Sequence, residues 1–120
     1  MDKLQAFQKF WKGFDIPAYD SNSVPDDAEL PYITYSMIYD SFGVTLSSTV
    51  SLWYRGTSWS AVTQKAFQVS DKITRGGFLV SYDEGVFWIR RGTPWAQRMS
   101  DPKDDSIRRI LLSIEIEFFD

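Results

Sequence analysis

Two stretches of this chain alternate between apolar and polar residues, and this alternation constrains the fold more than any other feature of the sequence. One runs from Val44 to Tyr54 and the other from Ile107 to Phe119. A repeat of two residues is the period of a β-strand, and one apolar face beside one polar face is typical of an antiparallel sheet covered on one side. The sequence therefore predicts two long strands, each with a buried face and an outer face.

Two further segments repeat their apolar residues at spacings of three and four. The first runs from Asp2 to about Lys12, and the second from about Ser58 to Ile73. This spacing places the apolar side chains in one stripe along a helix, and Asp2 is a favourable N-cap residue for the first segment. We expect two amphipathic helices that lie on the sheet through their apolar stripes.

Shorter strands complete the pattern. Residues Tyr32–Tyr39 are rich in β-branched and aromatic side chains, and residues 40–43 are predicted to form the turn that follows them. Phe78–Tyr82 and Val86–Arg90 predict a hairpin. Its short loop ends at Gly85, which is expected to adopt a left-handed conformation.

The order of these elements is typical of one α+β domain. The chain has 120 residues, which is the size of a single domain, and its predicted order is α-β-β-α-β-β-β. Long loops are expected at residues 15–31 and 91–106. We therefore expect one domain over residues 1–120, built as two layers: a mostly antiparallel sheet of about five strands, with two amphipathic helices on one face.

The composition excludes several classes of chemistry. The chain has 0 Cys and 0 His, which excludes disulfides, thiolate zinc sites, cysteine nucleophiles and histidine general bases. We expect no enzyme activity and no catalytic, cofactor-binding or metal site. No apolar run reaches the roughly 18–20 residues of a membrane helix, so we expect no membrane partner.

Two acidic groups are candidates for chemistry. Asp101, Asp104 and Asp105 offer the oxygen ligands that Ca²⁺ and Mg²⁺ prefer, but they lack the spacing and central glycine of an EF-hand. Glu115 and Glu117 share one face of a predicted strand, whereas a glycosidase needs two carboxylates in different environments across a cleft. We interpret both groups as solvated or partner-facing charges, and a carboxylate–metal enzyme stays as an alternative.

Arginines and tryptophans are interleaved around the second predicted loop. The candidates for an interface there are Trp88, Arg90, Arg91, Trp95 and Arg98. Tryptophan and arginine are enriched at protein interfaces, and they also stack on nucleic-acid bases. The formal net charge is −3, and the acidic excess falls next to these cations, in residues 101–120. We therefore favour a protein contact over nucleic-acid binding.

The predicted sheet also leaves two open edges and an outer face with large side chains. Trp53 and Trp88 fall on the polar sides of their strands, away from the predicted core. Unpaired strand edges and exposed apolar patches both invite another chain. Asp101 and Asp105, close to the cations of residues 90–98, favour a head-to-tail contact between copies that closes into a ring.

Eight short segments, spread over nearly the whole chain, carry a resemblance to one protein family. They are Phe10-Trp11, Ile16-Pro17-Ala18-Tyr19, Val24-Pro25-Asp26-Asp27-Ala28, Pro31-Tyr32-Ile33-Thr34-Tyr35, Leu52-Trp53-Tyr54-Arg55, Ser58-Trp59, Gly92-Thr93-Pro94-Trp95-Ala96-Gln97 and Ile107-Arg108-Arg109. Through them the chain resembles the small tail terminator proteins of long-tailed phages and prophages, also called tail-completion, head–tail joining or minor capsid proteins. The segments contain no catalytic signature.

The resemblance implies a structural protein of the virion, located in its tail or neck, and in the cytoplasm of the bacterial host during assembly. Members of this family form a hexameric ring that caps the tail tube, stops its polymerisation and presents a surface to the head connector. The implied partners are further copies of the chain, the tail-tube protein and a head-completion or connector protein. DNA would only pass through the lumen, and Glu115 and Glu117 are candidates for the lumen charge. Another head–tail connector protein and a small nucleic-acid-binding α+β module stay as alternatives.

Overall fold

A computed structural model describes residues 1–39 and 44–120 of the chain. This part of the chain forms two α-helices and six β-strands. In chain order they are α1 (Lys3–Trp11), β1 (Ala18–Asp20), β2 (Tyr32–Tyr35), β3 (Thr45–Arg55), α2 (Ser60–Ile73), β4 (Phe78–Tyr82), β5 (Gly85–Met99) and β6 (Ile107–Phe119). The turn predicted over residues 40–43 lies outside the described residues.

The six strands form one mixed sheet in the order β1-β2-β3-β6-β5-β4. Strand β1 runs parallel to β2, and the other neighbouring pairs are antiparallel. The α+β class is confirmed, but the prediction of about five strands missed β1. This strand has 3 residues, too few to show an alternation. It is held by hydrogen bonds from the Ile33 N–H to the Pro17 carbonyl and from the Ser21 N–H to the Tyr35 carbonyl, both 2.8 Å long.

The two long strands predicted from the alternation are confirmed as β3 and β6. They pair along their full length, from Thr45 opposite Glu117 to Arg55 opposite Ile107. Their buried apolar residues alternate along each strand: Val50, Leu52, Ile110, Leu112, Ile114, Ile116 and Phe118. The opposite side of the sheet, turned away from the helices, is called the outer face below.

Strand β5 is much longer than predicted, and the loop expected at residues 91–106 is wrong over most of its length. β5 continues to Met99, which leaves residues 100–106 as the connection to β6. Pairing with β6 sustains the strand, with a register shift between Arg91 and Ala96 that accommodates the Gly-Thr-Pro sequence. Glycine is favoured at position 92 because any larger residue would place its Cβ only 3.0 Å from the Cβ of Ser113, which is closer than an ordinary contact.

Helix α1 lies inside the curl of the sheet and contacts the edge strands β1 and β4. Phe7 is fully buried, and its ring centroid lies 5.9 Å from that of Tyr35 on β2 and 5.8 Å from that of Phe87 on β5. Strands β3 and β6 separate β2 from β5 in the sheet, so the sheet must curl to bring both strands to one ring. The predicted two-layer arrangement is therefore matched only roughly.

Both predicted helices are confirmed. The Asp2 carboxylate accepts a hydrogen bond from the Gln5 N–H at 2.8 Å, and the Gln5 Oε1 accepts one from the Asp2 N–H at 3.0 Å, which makes a capping box. Helix α2 packs on β3, β5 and β6 through Val62, Ala66, Val69 and Ile73. Over the described ranges, neither helix combines the length and apolarity needed to cross a membrane.

Gly85 follows the β4–β5 hairpin loop, but it lacks the predicted left-handed conformation. The loop has two residues, Asp83 and Glu84, because Tyr82 pairs directly with Gly85. A Cβ at Gly85 would lie 2.1 Å from the carbonyl oxygen of Phe119. Close approach of the β6 backbone, rather than the φ angle, therefore requires glycine here.

We expect Gly85→Ala to lower the free energy of unfolding by about 1–3 kcal/mol, because the β6 backbone must shift to admit the methyl group. Urea unfolding followed by circular dichroism measures the change. Gly76→Ala is the control, since a Cβ at Gly76 would meet nothing within 4 Å. Its expected effect is within about 0.5 kcal/mol, and equal stabilities for the two variants would contradict the prediction.

Candidate interaction surface on the outer face

A row of large side chains crosses the outer face over neighbouring strands. Tyr32 on β2 pairs with Trp53 on β3, and Trp53 pairs with Arg109 on β6. The ring centroids of Tyr32 and Trp53 are 6.4 Å apart, and the Arg109 guanidinium lies 4.5 Å from the Trp53 ring centroid. Tyr19 on β1 extends the row, with its ring centroid 5.5 Å from that of Tyr32. These four residues are called the aromatic–arginine row.

Two hydroxyl groups beneath the row fix its orientation. The Trp53 Nε1 donates to the Thr34 Oγ1 at 2.9 Å, and the Arg109 Nε donates to the Ser51 Oγ at 3.1 Å. Thr34 and Ser51 are only 9% and 6% exposed although they point to the outer face. Side chains that are already held in place lose less conformational entropy when a partner binds. The row is therefore preorganised for contact.

Clefts open on both sides of Trp53 and Arg109. One cleft, of about 280 Å³, extends to Ser21 and Val24 after β1. The other, of about 250 Å³, extends to the connection at residues 100–106. Within the described part of the chain Arg109 makes no ion pair, although it lines both clefts. Its terminal guanidinium nitrogens therefore suit a carboxylate supplied by a partner.

A second cluster on the outer face contains four of the residues predicted from the sequence. The Arg90 guanidinium lies 4.1 Å from the ring centroid of Trp88. Its terminal nitrogens lie 3.5 Å from the Glu115 Oε2 and 3.7 Å from the Glu117 Oε1. The Trp88 Nε1 donates to the carbonyl of Gly76 at 3.0 Å. One guanidinium therefore lies between the two carboxylates of Glu115 and Glu117.

Three other predicted residues lie on the helix side of the sheet. The Arg91 Nη1 donates to the Ser70 Oγ of α2 at 2.7 Å, and the Arg98 guanidinium lies 5.0 Å from the ring centroid of Trp59. Trp95 packs against the hydrophobic core. Successive residues of a strand point to opposite faces, and the register of β5 shifts after Arg91. The sheet therefore divides these interface candidates between its two faces, and they do not form one continuous surface.

The acidic connection between β5 and β6 is organised around Asp104 rather than Asp101 or Asp105. The Asp104 Oδ1 accepts from the Ser106 hydroxyl at 2.6 Å and the Ser106 N–H at 2.9 Å, and its Oδ2 lies 3.0 Å from the Arg55 Nη1. The Asp101 carboxylate accepts from backbone N–H groups two and three residues on, while Asp105 is exposed. Among the residues described, no three acidic side chains are grouped to hold a metal ion.

The hydrogen bonds from Ser106 and the contact with Arg55 lower the pKa of Asp104 from 3.8 to about 2. The ionised carboxylate therefore stabilises the folded state above about pH 3.8, and this stabilisation is lost as the pH falls towards 2. We expect Asp104→Asn to reduce the loss of thermal stability over this pH range relative to the unaltered chain. Melting curves at several pH values test this, with Asp105→Asn as the control. An unchanged pH dependence in Asp104→Asn would refute the prediction.

The alternation along β3 predicts Trp53 as an outward residue, but the residues that surround it were not among the candidates. The alternation of β6 places Arg109 on the same face as Glu115, so this arginine was readable as an outward residue. The stacking of Arg109 on Trp53 could not be predicted from the sequence, because tertiary pairing fixes the register between β3 and β6. Tyr32 was missed for the same reason.

Comparison with known proteins leaves the family of this chain open. No family model matches it, and no curated protein matches it. The resemblance to tail terminator proteins depends on the short segments given above. The geometry of the outer face is an independent observation that bears on function.

Proposed function

We propose that this chain is a non-enzymatic structural protein of a long-tailed phage or prophage. Its copies form a ring at the head-proximal end of the tail, where the ring ends growth of the tail tube and joins the tail to the head. The aromatic–arginine row is the observation that carries this proposal. It presents Tyr19, Tyr32, Trp53 and Arg109 on the outside of the sheet, where they do not contribute to the chain's own core.

The residue types of the row suit a protein partner. Tyrosine, tryptophan and arginine are the side chains that contribute most to binding at protein interfaces, especially next to small pockets. The clefts beside Trp53 and Arg109 are pockets of this kind. We assign the outer face to the tail-tube or connector protein, with a carboxylate of that partner placed against Arg109.

The charges on the outer face favour a protein partner over nucleic acid. Arg90 and Arg109 are balanced there by Glu115 and Glu117. Binding nucleic acid through its phosphates needs an excess of cations along a groove, and the net charge of the chain is −3. This balance supports passage of DNA through a ring without retention.

Polymerisation of a tail-tube protein from the same phage or prophage tests the proposal. We expect purified chain to shorten the tubes and to occupy one of their ends in negative-stain electron micrographs. Unchanged tube lengths with this chain in excess would overturn the proposal. Binding to the head-completion protein without an effect on the tubes would instead support the alternative of another connector protein.

A further inference from the structure

The two edges of the sheet differ in how many backbone groups they leave open. At β1, the Asp20 carbonyl accepts from the Ser23 N–H at 2.9 Å, and the strand is only 3 residues long. At β4, Tyr82 pairs with Gly85 across a two-residue loop, and this register directs the N–H and C=O groups of Leu79 and Ser81 away from β5. Strand β4 is therefore the edge that offers a run of unpaired backbone groups.

The N-terminal residue makes one backbone contact at the loop end of this edge. The Asp83 N–H, in the hairpin loop that follows β4, donates to the carbonyl of Met1 at 2.8 Å. In the part of the chain that the structure describes, no comparable backbone bond reaches Leu79 or Ser81 from outside the sheet. The side chain of Leu79 is 62% exposed.

A cleft of about 300 Å³ lies beside this edge, between α1, the end of α2 and β4. Its apolar lining comes from Phe10, Phe14, Phe78 and Val80, and its cationic lining from Lys9 and Lys72. The Lys72 Nζ lies 4.6 Å from the ring centroid of Phe78. Neither lysine forms an ion pair with another described residue. The cleft therefore suits a segment that carries apolar side chains and carboxylates together.

The chain itself contains a segment that carries such carboxylates. Residues 21–29, which follow β1, hold three acidic residues and no basic one. Asp26, Asp27 and Glu29 are exposed and make no ion pair within the described ranges. Residues 21–29 are called the acidic segment.

We propose that a second copy of this chain docks its acidic segment against the β4 edge and the cleft lined by Lys9 and Lys72. The two surfaces are different, so the contact is head-to-tail and each copy keeps one surface of each kind for a further neighbour. This inference rests on the proposed ring and names the surfaces by which its copies meet.

Sedimentation velocity over a range of concentrations up to about 1 mM tests the contact. The chain self-associates, and Lys72→Glu raises the concentration needed for association at least ~10-fold, because a carboxylate then faces the acidic segment. Lys103→Glu, which makes the same change in the connection between β5 and β6, leaves association unchanged. A chain that stays monomeric throughout, or equal effects of the two variants, overturns the inference.

Ser81→Pro tests the backbone part of the contact. Proline at this position removes an outward N–H and leaves the hydrogen bonds between β4 and β5 in place, because those bonds belong to Tyr82, Val80 and Phe78. Urea unfolding shows whether the variant is folded. A folded Ser81→Pro variant with unaltered association rules out strand pairing at β4, and weaker association supports it.

Mixing a variant with a charge-reversed cleft and a variant with a charge-neutralised acidic segment tests the head-to-tail geometry. Lys9→Glu/Lys72→Glu damages the cleft only, and Asp26→Asn/Asp27→Asn damages the acidic segment only, without creating cations that would attract the reversed cleft. Each variant alone is monomeric, and a mixture forms dimers but nothing larger, because it contains one intact pair of surfaces. A mixture that stays monomeric contradicts the pairing of these surfaces. If these surfaces do not pair but the unaltered chain still shortens tail tubes, the inference fails and the proposed function stands. If the chain self-associates but has no effect on tail tubes, the proposed function fails and the contact between copies stands.

Discussion

Phe7→Ala is expected to lower the free energy of unfolding by about 3–5 kcal/mol, the largest effect on stability that we expect from one substitution in this chain. Phe7 is 0% exposed, and its ring contacts Trp11 within α1, Tyr35 on β2 and Phe87 on β5. Removing the ring leaves a cavity where α1 joins the two halves of the curled sheet. The loss therefore includes the contacts that hold the sheet around the helix as well as the burial of one side chain.

Urea unfolding measures the effect, and Phe67→Ala is the matched control. Phe67 also lies on a helix, but its side chain is 64% exposed. Its truncation is expected to change the free energy of unfolding by no more than about 0.5 kcal/mol. If Phe7→Ala were as stable as Phe67→Ala, α1 would not be the element that closes the curled sheet.

The elements that alternate or repeat over many residues were predictable from the sequence. The strands β3 and β6 and both helices have enough residues to show their period, so local pattern and tertiary structure agree. The hairpin between β4 and β5 was predictable as well, because two apolar runs flank a short loop.

The elements that the sequence did not predict form through contacts with parts of the chain that are distant in sequence. Strand β1 is short, follows Pro17 and exists through its pairing with β2. The second half of β5 contains Gly92 and Pro94, which are typical of loops, yet the neighbouring strand β6 keeps it in the sheet. The curl of the sheet depends on how α1 packs between strands that are distant in the sequence.

The candidate site was only partly predictable for a related reason. Alternation decides which face of a strand a residue occupies, and it placed Trp53 and Trp88 on the outer face as the structure does. The arginines Arg90, Arg91 and Arg98 were grouped because residues 91–106 were predicted to form a loop, in which alternation does not apply. In the strand, Arg91 points to the helix side because it follows the outward Arg90, and the register shift after Arg91 places Arg98 on the helix side as well. Pairing between strands, which the sequence does not encode locally, decided that Arg109 would stack on Trp53.

Arg109→Glu is expected to weaken binding of the chain to the proposed tail-tube or connector partner roughly 100-fold. The substitution removes a guanidinium that is held over Trp53 and by the Ser51 hydroxyl, and replaces it with a charge that repels a partner carboxylate. Biolayer interferometry against the immobilised tail-tube protein measures the affinity, and urea unfolding shows whether the variant is folded.

The matched control is Arg98→Glu, because Arg98 is also stacked on a tryptophan but lies on the opposite side of the sheet. Its guanidinium lies 5.0 Å from the Trp59 ring centroid, compared with 4.5 Å between Arg109 and Trp53. Both variants change the net charge by the same amount, so a general electrostatic effect would weaken binding equally in both. A loss confined to Arg109→Glu assigns the partner to the outer face. Equal losses would remove that assignment, and a greater loss in Arg98→Glu would move the partner to the helix side.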